Sequence, residues 1–142
     1  MADRPSVLVV EDDLSWQMIY QEVLEEEGYQ VELASSKEEV RQKLEERTYD
    51  VAVIDLRLED KDPRNTDGID IVRMFRDRRT PTRAIVKSSY LTQPMRTQLK
   101  RLGVLAIVDK DGDIKQLTEL VASAVQVGTD LGQATHGIVA AD

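Results

Sequence analysis

Short apolar runs alternate along the chain with stretches whose apolar residues recur at helical spacing. The five runs cover residues 7–10, 29–34, 51–54, 84–86 and 104–108. Four of them contain no charge, which is typical of strands buried on both faces of a sheet, and the second alternates as a strand nearer an edge does. Because the connections are short, the pattern predicts a parallel sheet with helices on both faces, wound with right-handed crossovers.

Capping residues and glycines mark the helix ends. Asp13 can cap the first helix, and Ser36 with Glu39 forms a capping box for the second. Three glycines are predicted to end the first, fourth and fifth helices: Gly28, Gly103 and Gly128. We therefore expect one domain over residues 1–128. Residues 129–142 lack helical periodicity and are predicted to be a flexible tail or the start of a linker.

The composition excludes several classes of function. The chain has no cysteine, so it has no disulfide and no thiol nucleophile. With one histidine as well, it cannot bind zinc through cysteines or through several histidines. A net charge of −8 argues against nucleic-acid binding by this domain. No signal peptide or membrane-spanning run is visible, so we expect a cytoplasmic protein without a membrane partner. The composition does not exclude a site for a hard cation, because such a cation needs only carboxylate and carbonyl oxygens as ligands.

Polar residues follow the strands at their carboxyl ends, where open parallel sheets bind ligands. With the strand order 2-1-3-4-5, Glu11, Asp12 and Asp55 would share one crevice. Carboxylates so close repel one another unless a cation is present, and Mg²⁺ takes oxygen ligands. Ser88 and Lys110 follow the fourth and fifth strands and could contact a phosphate. The set suits phosphoryl transfer, in which an aspartate can be the nucleophile.

These segments resemble the receiver domain of bacterial response regulators, over about residues 6–127. Four segments carry the resemblance: Val7-Leu8-Val9-Val10-Glu11-Asp12-Asp13, Val53-Ile54-Asp55-Leu56, Ile85-Val86-Lys87-Ser88-Ser89-Tyr90 and Val108-Asp109-Lys110 with Gly103 upstream. The resemblance implies a single doubly wound, flavodoxin-like (βα)₅ domain that acts in two-component signalling. It also implies a phosphoacceptor rather than an enzyme, although such a domain can take phosphate from small donors and lose it again.

The resemblance implies a role for each site residue. Asp55 accepts phosphate from a sensor histidine kinase or a phosphotransfer protein. Asp12, Asp55 and the backbone carbonyl of Arg57 bind Mg²⁺ or Mn²⁺ directly, while Glu11 acts through water. The phosphoryl group is then contacted by Ser88 and Lys110. Phosphorylation switches the face of the fourth helix, fifth strand and fifth helix, which controls an unidentified output partner or favours a homodimer.

The chain departs from the family pattern at several places. The loop 56–67 is about five residues longer than usual and rich in charge, and it borders the site, where it affects donor access and dephosphorylation. Asp111 replaces the proline that often follows the site lysine. Ile107 replaces an aromatic residue that moves inward on activation, which argues against that switch. Lys87 is unusual at the end of a buried strand.

Other functions fit the sequence less well than the receiver does. A phosphatase of the haloacid-dehalogenase type needs an acid two residues after its nucleophile, where this chain has Arg57. A flavodoxin-like cofactor binder would need a glycine-rich loop after the first strand. A pseudo-receiver, an interaction module without phosphotransfer, usually lacks an acid or the lysine, whereas all five positions are filled here. The pseudo-receiver remains the alternative, and His136 is assigned no role.

Overall fold

Five strands and five helices alternate, as the apolar periodicity predicted. The structure, a computed structural model, describes residues 4–56, 67–77, 82–88, 91–109 and 112–137. The elements are β1 (Ser6–Val10), α1 (Leu14–Glu26), β2 (Gln30–Ala34), α2 (Lys37–Glu46), β3 (Val51–Asp55), α3 (Asp67–Asp77), β4 (Arg83–Ser88), α4 (Gln93–Arg101), β5 (Ala106–Asp109) and α5 (Ile114–Gly137). Predictions that concern Arg57, Lys110, Asp111 and the loop residues 57–66 lie outside the described residues.

The sheet has the predicted topology. Its order is β2-β1-β3-β4-β5, and every neighbouring pair is parallel. In this order β1 lies between β2 and β3, so the chain reverses its winding direction between β1 and β3. The carboxyl ends of those two strands therefore meet beside the crevice in which open sheets bind ligands.

The core has two layers, one on each face of the sheet. Successive residues of β1 alternate between them: Leu8 and Val10 join the layer covered by α2, α3 and α4, whereas Val7 and Val9 join the layer covered by α1 and α5. All four side chains are at most 1% exposed. Burial on both faces explains why β1 is a continuous apolar run rather than an alternating one.

The predicted caps are present. The side chain of Asp13 accepts a hydrogen bond from the Trp16 N–H at 3.2 Å and begins α1. Ser36 accepts one from the Glu39 N–H, also at 3.2 Å, and begins α2. The Glu39 carboxylate reaches back to the Ser35 N–H at 2.7 Å, one residue before the expected one. The glycine stops Gly28 and Gly103 have positive φ angles of 98° and 88°.

α5 is longer than the sequence predicted. It continues through Gly128 to Gly137, so the prediction that the helix ends at Gly128 is wrong, whereas the assignment of residues 129–142 to a flexible tail or the start of a linker stays a prediction. A glycine in a helix interior costs about 1 kcal/mol. A helix that is already nucleated tolerates this cost, because each further residue adds a backbone hydrogen bond without new nucleation. Among the residues that the structure describes, no helix combines the length and apolarity of a membrane span.

Candidate metal centre

Three acidic side chains meet at the carboxyl edge of the sheet. Val10 of β1 lies opposite Ile54 of β3, so the residues that follow them, Glu11 and Asp55, are carried to the same place. One carboxylate oxygen from each of Glu11, Asp12 and Asp55 lies within 4.8 Å of the others. Glu11 is fully buried and Asp55 is 3% exposed. The structure thus brings together the three acids that the sequence placed in one crevice.

The position of Glu11 is fixed by hydrogen bonds from neighbouring elements. Its backbone N–H donates to the Ala34 carbonyl at 2.9 Å, which extends the β1–β2 pairing by one residue. Its carboxylate Oε2 accepts from the Asp13 N–H at 3.1 Å. Its carbonyl accepts from the side-chain amide of Gln17. Sequence reasoning missed Gln17, although a glutamine in register with the buried Tyr20 and Leu24 of α1 is a usable signal.

The donor set fits a hard divalent cation. All three side chains offer carboxylate oxygen, and Mg²⁺ and Mn²⁺ prefer oxygen to nitrogen or sulfur ligands. Three carboxylates in a mostly buried pocket would destabilise one another without positive charge nearby. Asp12 and Asp55 could hold such an ion from the two adjacent strands. The predicted third protein ligand, the Arg57 carbonyl, lies outside the described residues.

Ser88 lies at the same edge of the sheet. It ends β4 and is 9% exposed. Asp55 pairs with Lys87 in the β3–β4 register, so Ser88 lies one residue beyond the aspartate in the strand direction. Ser88 in turn pairs with Asp109, the residue before Lys110. The side chain of Lys110 lies outside the described residues, and its role stays a prediction.

Lys87 is a buried neighbour of the three acids that sequence reasoning noticed only as unusual. It is 2% exposed, and its Nζ lies 3.3 Å from Glu11 Oε1. The ammonium also donates to the Tyr20 hydroxyl, and it lies 3.6 Å from the centre of that ring and 5.5 Å from the centre of the Trp16 ring. Burial, and then the charges of Glu11 and Asp55, raise the pKa of Tyr20, so its phenol stays neutral. A lysine inside an apolar strand was the signal, since a buried charge requires a partner.

Leu56 and Gly68, which lie on either side of the segment after Asp55, are in contact. The Leu56 N–H donates to the Lys87 carbonyl at 3.0 Å, and the Gly68 N–H donates to the Leu56 carbonyl at 2.9 Å. A Cβ added to Gly68 would lie 2.4 Å from the Leu56 Cα and from its carbonyl oxygen. Leu56 and Gly68 are therefore held in contact, which fixes the start of α3 against the end of β3.

Comparison with known proteins identifies the family and the fold. The family model described as "Response regulator receiver domain" matches residues 7–122. The acid tolerance regulatory protein ActR of Rhizobium meliloti (strain 1021) is 32% identical over 121 residues, which cover 85% of this chain and 58% of ActR. The chain thus spans less than two thirds of that curated relative.

Two solved structures have the same fold. A CheY-like response regulator receiver domain protein from Methanospirillum hungatei JF-1 has a TM-score of 0.82 at 22% identity, over 90% of this chain and 98% of that one. A response regulator protein from Burkholderia pseudomallei, solved with a phosphorylated aspartic acid, calcium ion and citrate, has a TM-score of 0.72 at 21% identity, over 94% of this chain and 73% of that one. Because the family match extends over residues 7–122, with the fold and the ActR similarity in agreement, this chain belongs to the response regulator receiver domain family and is a signalling domain of two-component systems.

Proposed function

We propose that this chain is a phosphoacceptor receiver that takes a phosphoryl group onto Asp55 with the help of Mg²⁺ or Mn²⁺. The observation that carries the proposal is the convergence of Glu11, Asp12 and Asp55 within 4.8 Å at the carboxyl edge of the sheet. Burying a carboxylate at the end of β3 costs free energy unless a partner or a bound cation compensates its charge. The Burkholderia relative with its phosphorylated aspartic acid and calcium ion supports the same use of this pocket.

The reaction is a displacement at phosphorus. A carboxylate oxygen of Asp55 forms the new O–P bond while the P–N bond of a donor phosphohistidine breaks, and the departing imidazole takes up a proton. Asp12, Asp55 and the Arg57 carbonyl would hold the cation, with Glu11 acting through water. When bound, the cation supplies neutralisation of the negative charge on the phosphoryl oxygens.

The response to phosphorylation starts at Ser88. A phosphoryl group adds about two negative charges and three acceptor oxygens. The Ser88 hydroxyl donates to one of these oxygens, and Lys110 pairs with another. Ser88 joins β4 to the segment before α4, and Lys110 follows β5. When these two side chains move to contact the phosphoryl group, they alter the α4–β5–α5 face. That face would then control an output partner or form a homodimer.

The partners follow from the same chemistry. The donor is a sensor histidine kinase or a phosphotransfer protein in the cytoplasm, and small phosphate donors can replace it. ActR is named a regulatory protein and is longer than this chain, so an output region outside this sequence is part of the proposal. We expect no direct nucleic-acid binding by this domain, because its net charge is −8.

Labelling with a small donor tests the proposal. The chain is incubated with acetyl phosphate, with and without Mg²⁺, and its intact mass is followed. We expect one phosphate per chain that requires Mg²⁺ and is lost in Asp55→Asn, because the amide cannot act as the nucleophile. The matched control is Asp77→Asn, which removes an exposed aspartate at the end of α3 and should label normally.

Two results would contradict the proposal. Labelling of Asp55→Asn at the wild-type level would show that the phosphate is carried elsewhere. A wild-type chain that binds Mg²⁺ but takes no phosphate from acetyl phosphate or from a phosphohistidine donor would instead identify a pseudo-receiver, in which the fold serves only as an interaction module.

A further inference from the structure

Lys87 places a positive charge inside the pocket that the proposed function assigns to a metal ion. Its Nζ lies 3.3 Å from Glu11 Oε1, and the side chains of the two residues are 3% and 0% exposed. Glu11 is one of the three acids whose oxygens converge within 4.8 Å. The ion pair is therefore part of the candidate metal centre, and it joins residues 76 positions apart in the sequence.

The surroundings of Lys87 hold the ammonium in place. The Tyr20 hydroxyl accepts a hydrogen bond from it, and the ring of Tyr20 lies 3.6 Å from Nζ. Trp16 stacks on Tyr20 with ring centres 5.4 Å apart and extends the aromatic surface around the charge. Aromatic faces attract cations more strongly when water is excluded. The Lys87 ammonium is thus held next to the acids by the Tyr20 hydroxyl and by two aromatic rings.

Both carboxylate oxygens of Glu11 are engaged in this arrangement. Oε1 faces the Lys87 ammonium, and Oε2 accepts from the Asp13 N–H at 3.1 Å. A cation that approaches Asp12 and Asp55 therefore meets a Glu11 whose negative charge is already compensated. Since like charges repel strongly at short distance in a poorly hydrated pocket, the ammonium also opposes the incoming ion directly.

We infer that Lys87 is a built-in counter-cation that stabilises the acidic pocket without metal and weakens its affinity for Mg²⁺. The inference rests on the proposed function, because it concerns the same metal centre. It raises the free Mg²⁺ concentration at which the centre is half occupied, because the ion must overcome the repulsion of a charge that the fold already supplies. Lys87 acts through Glu11 and is a positioning residue, not a catalytic one.

Mg²⁺ titration of Lys87→Met tests the inference. Binding is followed by calorimetry and by the fluorescence of Trp16, which is the single tryptophan and lies 5.5 Å from the ammonium. We expect Lys87→Met to bind Mg²⁺ about tenfold more tightly or better, because one repelling charge is removed. We also expect its metal-free form to unfold at a temperature lower by roughly 5 °C or more, because Glu11 loses its buried partner.

Four further variants separate the effect of the charge from that of packing. Lys87→Arg keeps the charge and should retain affinity near that of the wild type. Lys87→Gln removes the charge but keeps a hydrogen-bond donor, so it should also bind Mg²⁺ more tightly, and it serves if Lys87→Met does not fold. Lys100→Met removes an exposed lysine of α4 and should leave Mg²⁺ affinity unchanged. Adding Glu11→Gln to Lys87→Met should restore much of the lost metal-free stability.

The outcomes distinguish this inference from the proposed function. Unchanged Mg²⁺ affinity in Lys87→Met and Lys87→Gln, with clear binding by the wild type, would overturn the inference and leave the metal centre intact. If neither the wild type nor the Lys87 variants bind Mg²⁺ at millimolar concentration, the metal part of the proposed function fails, and the inference fails with it.

Discussion

Gly68 controls how closely the chain can return to β3 after the loop beside Asp55. Its N–H donates to the Leu56 carbonyl at 2.9 Å, and a Cβ at this position would lie 2.4 Å from the Leu56 backbone. The neighbouring atoms are backbone and cannot rotate away, so α3 or the end of β3 would have to shift. A glycine is required here by close approach and not by a positive φ angle, which sets it apart from Gly28.

We expect Gly68→Ala to lower the free energy of unfolding by about 2 kcal/mol or more, as overpacking against rigid atoms does. Urea unfolding followed by circular dichroism measures the change. The matched control is Gly28→Ala, which meets no atom within 4 Å but has a φ of +98°, and should cost about 1 kcal/mol. Equal stability of Gly68→Ala and the wild type would show that Leu56 and Gly68 are not in contact.

At the scale of elements, the edge strand β2 is tied to α2 and to the start of β3 through Glu32. The Glu32 carboxylate lies 3.3 Å from Lys43 Nζ and 2.7 Å from an Arg47 guanidinium nitrogen. It also accepts a hydrogen bond from the Tyr49 hydroxyl at 2.9 Å. A charged and paired side chain on an edge strand also discourages pairing with other chains.

These contacts make the stability of the edge depend on pH. Burial raises the pKa of Glu32, but the hydrogen bonds from Tyr49 and Lys43 and the charges of Lys43 and Arg47 outweigh it, so the pKa lies below its ordinary value of 4.5. A carboxyl group whose pKa is lower in the folded state stabilises the fold above the pKa of the unfolded state. That stabilisation is lost as the pH falls through the lower, folded value.

We expect Glu32→Gln to lower the free energy of unfolding by about 0.5–1 kcal/mol at pH 7, because the partly exposed ion pairs are screened by water. The difference from the wild type should be smaller at pH 3 than at pH 7, because the Glu32 carboxyl takes up a proton as the pH falls through its lowered pKa. Urea unfolding at both pH values measures it. The control is Glu38→Gln, which removes an exposed acid that pairs with Arg41 of the same helix. A difference that is the same at both pH values would contradict the assignment.

For the whole molecule, the core layers bear on the domain boundary at residue 128, which stays a prediction. Three buried side chains of α5 belong to the core layer that α1 and α5 cover: Leu117, Val121 and Ala124. The helix itself runs on to Gly137, but the buried side chains described on it end at Ala124. Val125 is partly buried against the same layer, so every α5 side chain described in the core precedes residue 128.

A chain shortened to residues 1–128 should therefore keep its stability and its labelling. We expect a thermal midpoint within roughly 3 °C of the full chain, since the buried apolar contacts are retained. Scanning calorimetry and labelling with acetyl phosphate measure the two properties. A large loss of stability would show that residues 129–137 pack on the domain, and that the domain boundary expected from the sequence is misplaced.

Local patterns explain how much of the fold the sequence predicts. The apolar runs, the caps at Asp13 and Ser36 and the stops at Gly28 and Gly103 act through neighbouring residues, and all appear in the structure. The stop at Gly128 is wrong, because a single glycine is a weak signal against an established helix. The candidate site follows from local signals as well, since each acid is placed by the strand that precedes it.

The sequence by itself therefore determines the elements, their order and the polar residues at the strand ends, because these depend on periodicity and on neighbours in the chain. Only the tertiary structure decides that Lys87 lies against Glu11, Tyr20 and Trp16, and that Gly68 touches Leu56. Such contacts join residues far apart in the sequence, or across a loop. They depend on how β4 packs against α1 and how α3 returns to β3, which no local propensity encodes.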